Sequence, residues 1–560
     1  MSFVASTDDP DRLLRPEATK AEPLAPLPEI VVMVGDTGHL LAYEETSVAT
    51  EVVPTPSTIQ PEVRASAGTM RGRWEGGVAV FLGIPFAEPP VGVLRFAAPQ
   101  RARRWDGARD AVSYGPPPPQ ATAFGVERLA TAAEHDDWLT INVWSPEPGP
   151  DAGLPVMVWI HGGAYAIGMS SLPEYDGGRL ARDGGVVVVT FNYRVAIEGF
   201  TQIEGAPANR GLLDQIAALE WVRDNISAFG GNADRVTIFG ESAGGGSVAA
   251  LLAMPRAAGL FGRAVAQSVQ GTFFSAELSA DITTACAAEL GLRATTAELS
   301  TVAPARLSAA GGAISATMGQ RLQRWGPAAH RSIPFSPVID ADSLPTTPWQ
   351  ALADGAGRDV ELLVGHTRDE HRLFSALDGL LGQVTEEQAE SALRVLGPGT
   401  AGARLYREAF PAAGPEELFE LVNSDWAFRM PPLNLADAQA AAGGRAHVFE
   451  LTWSAPGMGG ILGACHGLDV PLVFGNLDRG QPAMLIGDGP NLEAETLSAR
   501  MRAAWTAFAT HGDPGWIPYD AEQRLVQVFD AHPTVVAYPE ETSRLIWQDH
   551  AFAALPLIGR

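Results

Sequence analysis

Short apolar runs recur at residues 78–84, 140–144, 156–160, 186–191, 236–239, 264–267, 362–364 and 448–451. Several are apolar at nearly every position, as expected of strands covered on both faces of a sheet. Between two of them, residues 211–229 set Leu212, Leu213, Ile216, Leu219, Trp221, Val222 and Ile226 at helical spacing. Strand and helix patterns in alternation predict an α/β fold around a mainly parallel, doubly wound sheet. Residues 270–355 and 375–440 break this rhythm with Ala-rich, helix-forming sequence and are expected to form cap segments over the sheet. Residues 1–60 differ from the rest, being rich in Pro, Glu and Thr, with one apolar stretch at 30–34 followed by Gly35-Asp36-Thr37-Gly38. They read as a partly flexible N-terminal extension with a hairpin turning at 35–38, ahead of one large domain over 61–560.

A chain of 560 residues could supply several average domains, but large α/β enzymes often decorate a single sheet instead. With 46% apolar residues there is ample material for that core. The formal net charge of −26 argues against nucleic acid or an anionic membrane as partner. No apolar run approaches the roughly 18–20 residues that span a bilayer, and residues 1–16 lack a signal-peptide core. Cys286 and Cys465, far apart, suggest neither a disulfide framework nor a metal cluster. The expectation is a cytoplasmic protein with reduced thiols; the oligomeric state and the role of residues 1–60 are not legible.

The strongest chemical signal is Gly240-Glu241-Ser242-Ala243-Gly244, a G-x-S-x-G motif directly after the run 236–239 and before an apolar helix over 248–252. A sharp strand-to-helix turn lifts a serine hydroxyl out of the sheet as a nucleophile, and small neighbours let the backbone pass. Upstream, the strand 156–160 runs into His161-Gly162-Gly163-Ala164. A loop of this type supplies backbone donors for an oxyanion, here the amides of Gly163 and Ala164 with that of Ala243. His161 is expected to brace the loop. The serine needs a base, and the base an anion, in the order Ser, acid, His. His39, His135 and His161 precede Ser242, while His511, His532 and His550 fall in a tail beyond the expected last strand. His466, in the small-residue loop Gly463-Ala464-Cys465-His466-Gly467 after the strand 448–451, is therefore the candidate base. The acid lies just past the strand 362–364, where Asp369 and Glu370 are adjacent and local physics does not choose between them.

These residues bring a family into view. Phe81-Leu82-Gly83-Ile84-Pro85-Phe86-Ala87-Glu88-Pro89-Pro90-Val91-Gly92, Leu94-Arg95-Phe96, Asn192-Tyr193-Arg194, Gly211-Leu212-Leu213-Asp214-Gln215, Phe229-Gly230-Gly231-Asn232 and Gly512-Asp513-Pro514 occur in order. From about residue 65 onward the chain resembles the type-B carboxylesterases, which include bacterial p-nitrobenzyl esterases, animal carboxylesterases and cholinesterases. The resemblance implies an α/β-hydrolase fold and cofactor-free, metal-free hydrolysis of small-molecule carboxylic esters through a covalent acyl-enzyme. It places the catalytic acid on Glu370 and gives Ser268 and Glu241 supporting positions around the reacting groups. Asp136-Asp137-Trp138-Leu139 stands where secreted relatives carry a half-cystine, which implies a bacterial, intracellular type. His371 and Val269 replace glycines usual in relatives, beside the expected site. A carbamate, amide or lactone could be attacked by the same groups, and an alcohol could replace water as acceptor. A non-catalytic, adhesion-like relative would have lost one of the three residues, and all three are present.

Overall fold

The computed structural model describes residues 59–121, 136–487, 489 and 491–559. The hairpin expected at 30–38 lies outside them. Two short strands, β1 (Glu62–Arg64) and β2 (Thr69–Arg71), open a small sheet that β5 (Ala108–Asp110) completes in the order β1-β2-β5. The main sheet begins with β3 (Arg73–Glu75) and β4 (Val78–Pro85), then β6 (Thr140–Ser145), β7 (Leu154–Ile160) and β8 (Val187–Phe191). It continues through β9 (Gly231–Glu241), β10 (Arg263–Gln267), β11 (Glu361–Thr367), β12 (Ala446–Leu451), β13 (Leu525–Phe529) and β14 (Thr534–Ala537). Its order is β14-β13-β12-β11-β10-β9-β7-β8-β6-β4-β3. The seven strands from β13 to β8 run parallel, and antiparallel partners flank them at both ends.

The period of two along each strand sorts side chains into two cores, one per face. On β7, Val156, Val158 and Ile160 join the core that contains the helices Arg210–Asn225 and Ala243–Ala253. Met157 and Trp159 join the other, against the helices Gly178–Gly184 and Leu492–His511. Helices also fill the stretches Ala276–Ala288, Pro304–Thr317 and Leu322–His330, and, after β11, a series from Arg372–Leu377 to Met430–Ala441. This is the α/β-hydrolase architecture. Among the described residues no helix is long and apolar enough to cross a membrane.

One expectation fails at the C terminus. The sheet does not end at 448–451, because β13 and β14 extend it, with His532 in the turn between them. Gln527 interrupts the apolar run of β13, and β14 is short and largely exposed, so neither reads as a fully covered strand.

The parallel register matters for the site. Ile160 pairs with Gly240, Gln267 with Glu241, and Gly365 with Gln267, so the C-terminal ends of β7, β9, β10 and β11 come out side by side. In open α/β sheets that edge is where ligands bind.

Candidate active site

β9 ends at Glu241 and the helix Ala243–Ala253 begins two residues later, so Ser242 must reverse the chain alone. It does so with φ +59° and ψ −124°, a conformation L-residues rarely adopt, costing roughly 1–3 kcal/mol. The turn is fixed from both sides: the Ser242 amide donates to Gln267 O (3.0 Å) and its carbonyl accepts from Gly246 N (2.8 Å). Gly244 is required by close approach, since a Cβ there would stand 2.0 Å from the Ile160 carbonyl oxygen. Ser242 remains partly exposed between two buried neighbours. The first turn of the helix leaves the Ala243 amide without an intrahelical acceptor and points the helix dipole at the same spot.

The loop after β7 faces this turn. A Cβ on Gly162 would lie 3.1 Å from Ser242 Cβ. Gly163 holds φ +114° with Ile167 O where its Cβ would be, and Ala164 and Tyr165 follow with φ +54° and +57°. Among the described residues the amides of Gly163 and Ala164 donate to no acceptor, and both residues reach solvent. His161 holds the loop from beneath. It is fully buried, its ring stacks on Tyr193 at 4.3 Å, its Nδ1 lies 2.9 Å from Gly162 O, and Tyr193 Oη donates to its carbonyl (2.6 Å). Burial pushes its pKa down to about 4, so it stays neutral.

The two adjacent carboxylates after β11 part company. Asp369 turns away: its Oδ2 accepts from the Ala464 amide (2.9 Å) and pairs with Arg368 (2.8 Å), clamping the loop that carries His466. Glu370 turns inward, and its Oε2 lies 2.5 Å from His466 Nδ1. Its Oε1 accepts from Ser268 Oγ (2.6 Å) and the Thr367 amide (2.8 Å). Burial raises the Glu370 carboxyl, but His466 and these two donors outweigh it and hold the pKa below the usual range. Glu370 is thus an anion with every donor aimed at it.

On its other side the imidazole meets Glu241: Nε2 lies 3.1 Å from Glu241 Oε1, an ion-pair distance without hydrogen-bond geometry. No hydrogen bond joins His466 to the Ser242 hydroxyl in this arrangement. Burial would lower the pKa of His466, yet Glu241 and Glu370 together raise it to about 9. Glu241 in turn is raised to about 8, by burial first, with His466 opposing.

Sequence reasoning named Ser242, Glu370, His466, Gly163, Ala164, Ala243, Glu241 and Ser268, and the structure gathers these eight at one sheet edge, but the reasoning missed their surroundings. Asp469, fully buried three residues after His466, accepts from Gln267 Nε2 (2.7 Å), whose Oε1 accepts from Trp505 Nε1 (3.0 Å). The spacing His466-x-x-Asp469 was the one available sign. Phe374 and Phe428 pack on the imidazole at 5.1 and 4.2 Å and stack on each other at 5.7 Å. His371 does not project into solvent: it is buried against Phe374 and Phe419, with Nδ1 3.1 Å from Ser375 Oγ. Cys286 and Cys465 are buried free thiols.

The pattern of the carboxylesterase family matches residues 59–544 of this chain. The para-nitrobenzyl esterase of Bacillus subtilis (strain 168) is 37% identical over 495 residues, covering 86% of this chain and 97% of that protein. The phenmedipham hydrolase of Pseudarthrobacter oxydans is 35% identical over 81% of this chain and 91% of its own. Among solved structures, the carboxylesterase EST55 of Geobacillus stearothermophilus superimposes with a TM-score of 0.76 at 36% identity, over 87% of this chain and 100% of that one. The chain belongs to the carboxylesterase family and is a carboxylic ester hydrolase.

Proposed function

We propose that Ser242, His466 and Glu370 act as nucleophile, general base and orienting acid in a two-step acyl transfer to water. His466 takes the proton as the Ser242 hydroxyl attacks the ester carbonyl. The carbonyl oxygen, now an anion, is received by the amides of Gly163, Ala164 and Ala243, which have no other acceptor among the described residues. The proton passes from His466 to the departing alcohol as the carbon–oxygen bond breaks. Water, deprotonated by the same imidazole, then releases the acid and restores the Ser242 hydroxyl. Glu370 fixes the tautomer and stabilises the imidazolium. Ser268 holds Glu370, and Asp369 holds the loop. The helices between β10 and β11 and those between β11 and β12 form the cap, whose Phe374 and Phe428 screen the imidazole from water.

The observation that carries this reading is the buried Glu370–His466 pair, with both oxygens of Glu370 engaged in a way that demands its charge. The remaining contact, from Nε2 to the Ser242 hydroxyl, requires the imidazole to give up its position beside Glu241. Catalytic hydrogen bonds often tighten only when substrate is bound. Ser242→Ala tests the scheme: hydrolysis of p-nitrophenyl acetate should fall by at least about 10⁴-fold while the circular dichroism spectrum is unchanged. Undiminished turnover by the folded variant rejects Ser242 as nucleophile.

A further inference from the structure

Arg331 directly follows the helix Leu322–His330 and is only partly exposed, yet among the described residues its guanidinium makes no hydrogen bond and no ion pair. Two fully buried arginines differ. Arg210, for comparison, spends its nitrogens on Glu198 O, Thr201 O, Pro207 O and Ile197 O, and Arg194 closes a fork on Asp214. The guanidinium of Arg331 lies instead over a ring: its carbon is 5.8 Å from the centroid of Phe374. The same ring lies 5.1 Å from the imidazole of His466. An unpaired cation and the reacting base are therefore two neighbours of one phenylalanine.

The two histidines beside it are neutral: burial, with Arg331 nearby, lowers His330 to about 4 and drives the proton affinity of His371 well down. The Nε2 of His371 is itself buried without a partner. Among the described residues Asp378, the acid that acts on Arg331, forms no ion pair with it. Burial accordingly pulls the Arg331 pKa down to about 10, so the guanidinium stays charged at neutral pH with its donors unspent. A planar fork of donors beside an aromatic face suits a carboxylate, which it can grip with two parallel hydrogen bonds. The chain as a whole carries −26 and repels anions, so a local cation has to supply any such affinity.

We propose that Arg331 is a specificity-determining residue that receives a carboxylate on the substrate, so that the enzyme takes esters bearing a second, anionic group. This rests on Ser242 and His466 being the reacting groups. The carboxylate can belong to the acid part, as in a monoester of a dicarboxylic acid, or to the alcohol part, as in an ester of a hydroxybenzoate.

The test compares kcat/KM for matched pairs: the mono-4-nitrophenyl ester of adipic acid against 4-nitrophenyl hexanoate, and 4-acetoxybenzoate against phenyl acetate. The quantity read is the anionic-to-neutral ratio in wild type, Arg331→Gln and Arg331→Lys. In Arg331→Gln the ratio should fall about tenfold to a hundredfold for at least one pair, chiefly through KM, with part of the loss regained in Arg331→Lys. The pair that responds identifies which side of the ester carries the anion. Ratios unchanged in both pairs leave Arg331 a structural cation over Phe374 and overturn the proposal. So does a wild-type ratio below about 0.01 for both pairs, which needs no variant to fold. A wild-type protein that hydrolyses neither neutral ester removes the catalytic reading itself, a result distinct from unchanged ratios.

Discussion

His466 sits between two carboxylates, 2.5 Å from Glu370 and 3.1 Å from Glu241, and the two act differently on its chemistry. Glu370 orients the ring; Glu241, itself raised by burial to about 8, adds charge on the face that must accept a proton once it ionises. A base works only when neutral. Burial favours that state, but the carboxylates override it and raise the pKa to about 9. The kcat/KM of wild type, which reports the free enzyme, should therefore climb with pH through neutrality toward that value. Glu241→Gln removes one of the raising charges, so His466 releases its proton at lower pH. The acid limb should move down by about one unit or more. A limb that stays in place in a folded variant means that the Glu241 charge does not reach the imidazole. Glu370→Gln is a different experiment: it removes the anion that fixes the tautomer, and kcat should drop by about 10⁴-fold rather than shift its profile.

At the scale of elements, the helix after the nucleophile shows what close approach demands. Its first turn, Ala243-Gly244-Gly245-Gly246, is poor helix-forming sequence, yet it is helical because β7 and β10 press against it. Gly244→Ala would set a methyl group 2.0 Å from the Ile160 oxygen, and backbone cannot rotate away as a side chain can. We expect a loss of about 1–3 kcal/mol or more in urea unfolding, and a drop in kcat/KM as Ser242 is displaced. An unchanged unfolding midpoint would mean that helix and strand have room to separate. The same element explains how far a sequence can be read. The run 248–252 announced a helix, but its true start at Ala243 is set by tertiary contact and is invisible in propensity. β9 begins at Gly231, earlier than the apolar run 236–239, because Gly231 pairs with Leu154 ahead of a register shift, and residues 232–235 bridge that irregularity without needing apolar side chains. β14 is missed because an edge strand is largely exposed, and β13, inside it, because Gln527 interrupts its apolar run. Ser242 and His466 were legible through motif, order and loop composition. The choice of Glu370 over Asp369 came from the family resemblance alone, since locally it depends on which way the chain turns as it leaves β11. Gln267, Asp469 and Arg331 belong to the site only through long-range packing, so nothing local marks them.

At the scale of the whole molecule, one buried ion pair ties distant segments together. Arg194 and Asp214 are both fully buried, and Arg194 donates through Nε (2.8 Å) and Nη2 (2.7 Å) to the two oxygens of Asp214. Its Nη1 donates to Ala97 O (2.8 Å), and its amide returns to Asp214 (3.0 Å). Three stretches meet here: the segment around residue 97, the exit of β8, and the helix Arg210–Asn225. The close packing of Gly199 and Gly211 against the Arg194 carbonyl, where a Cβ would stand 2.0 and 2.5 Å away, shows that the junction has no slack. A buried pair of this kind adds little net stability over an apolar equivalent, but losing one partner strands the other charge. Asp214→Ala should therefore cost about 3–5 kcal/mol, read as a fall in the denaturant midpoint. The double variant Arg194→Met/Asp214→Leu, which removes both charges and keeps volume, should recover much of that loss. If both variants fall equally, the junction depends on the geometry of the hydrogen bonds and not on charge balance. Tyr193, next in the chain, donates to the carbonyl of His161 and so connects this junction to the loop that faces Ser242. Loosening it should reach the chemistry: Asp214→Ala, assayed at a temperature where it remains folded, is expected to lose kcat on neutral esters as the Gly163 and Ala164 amides lose their fixed positions.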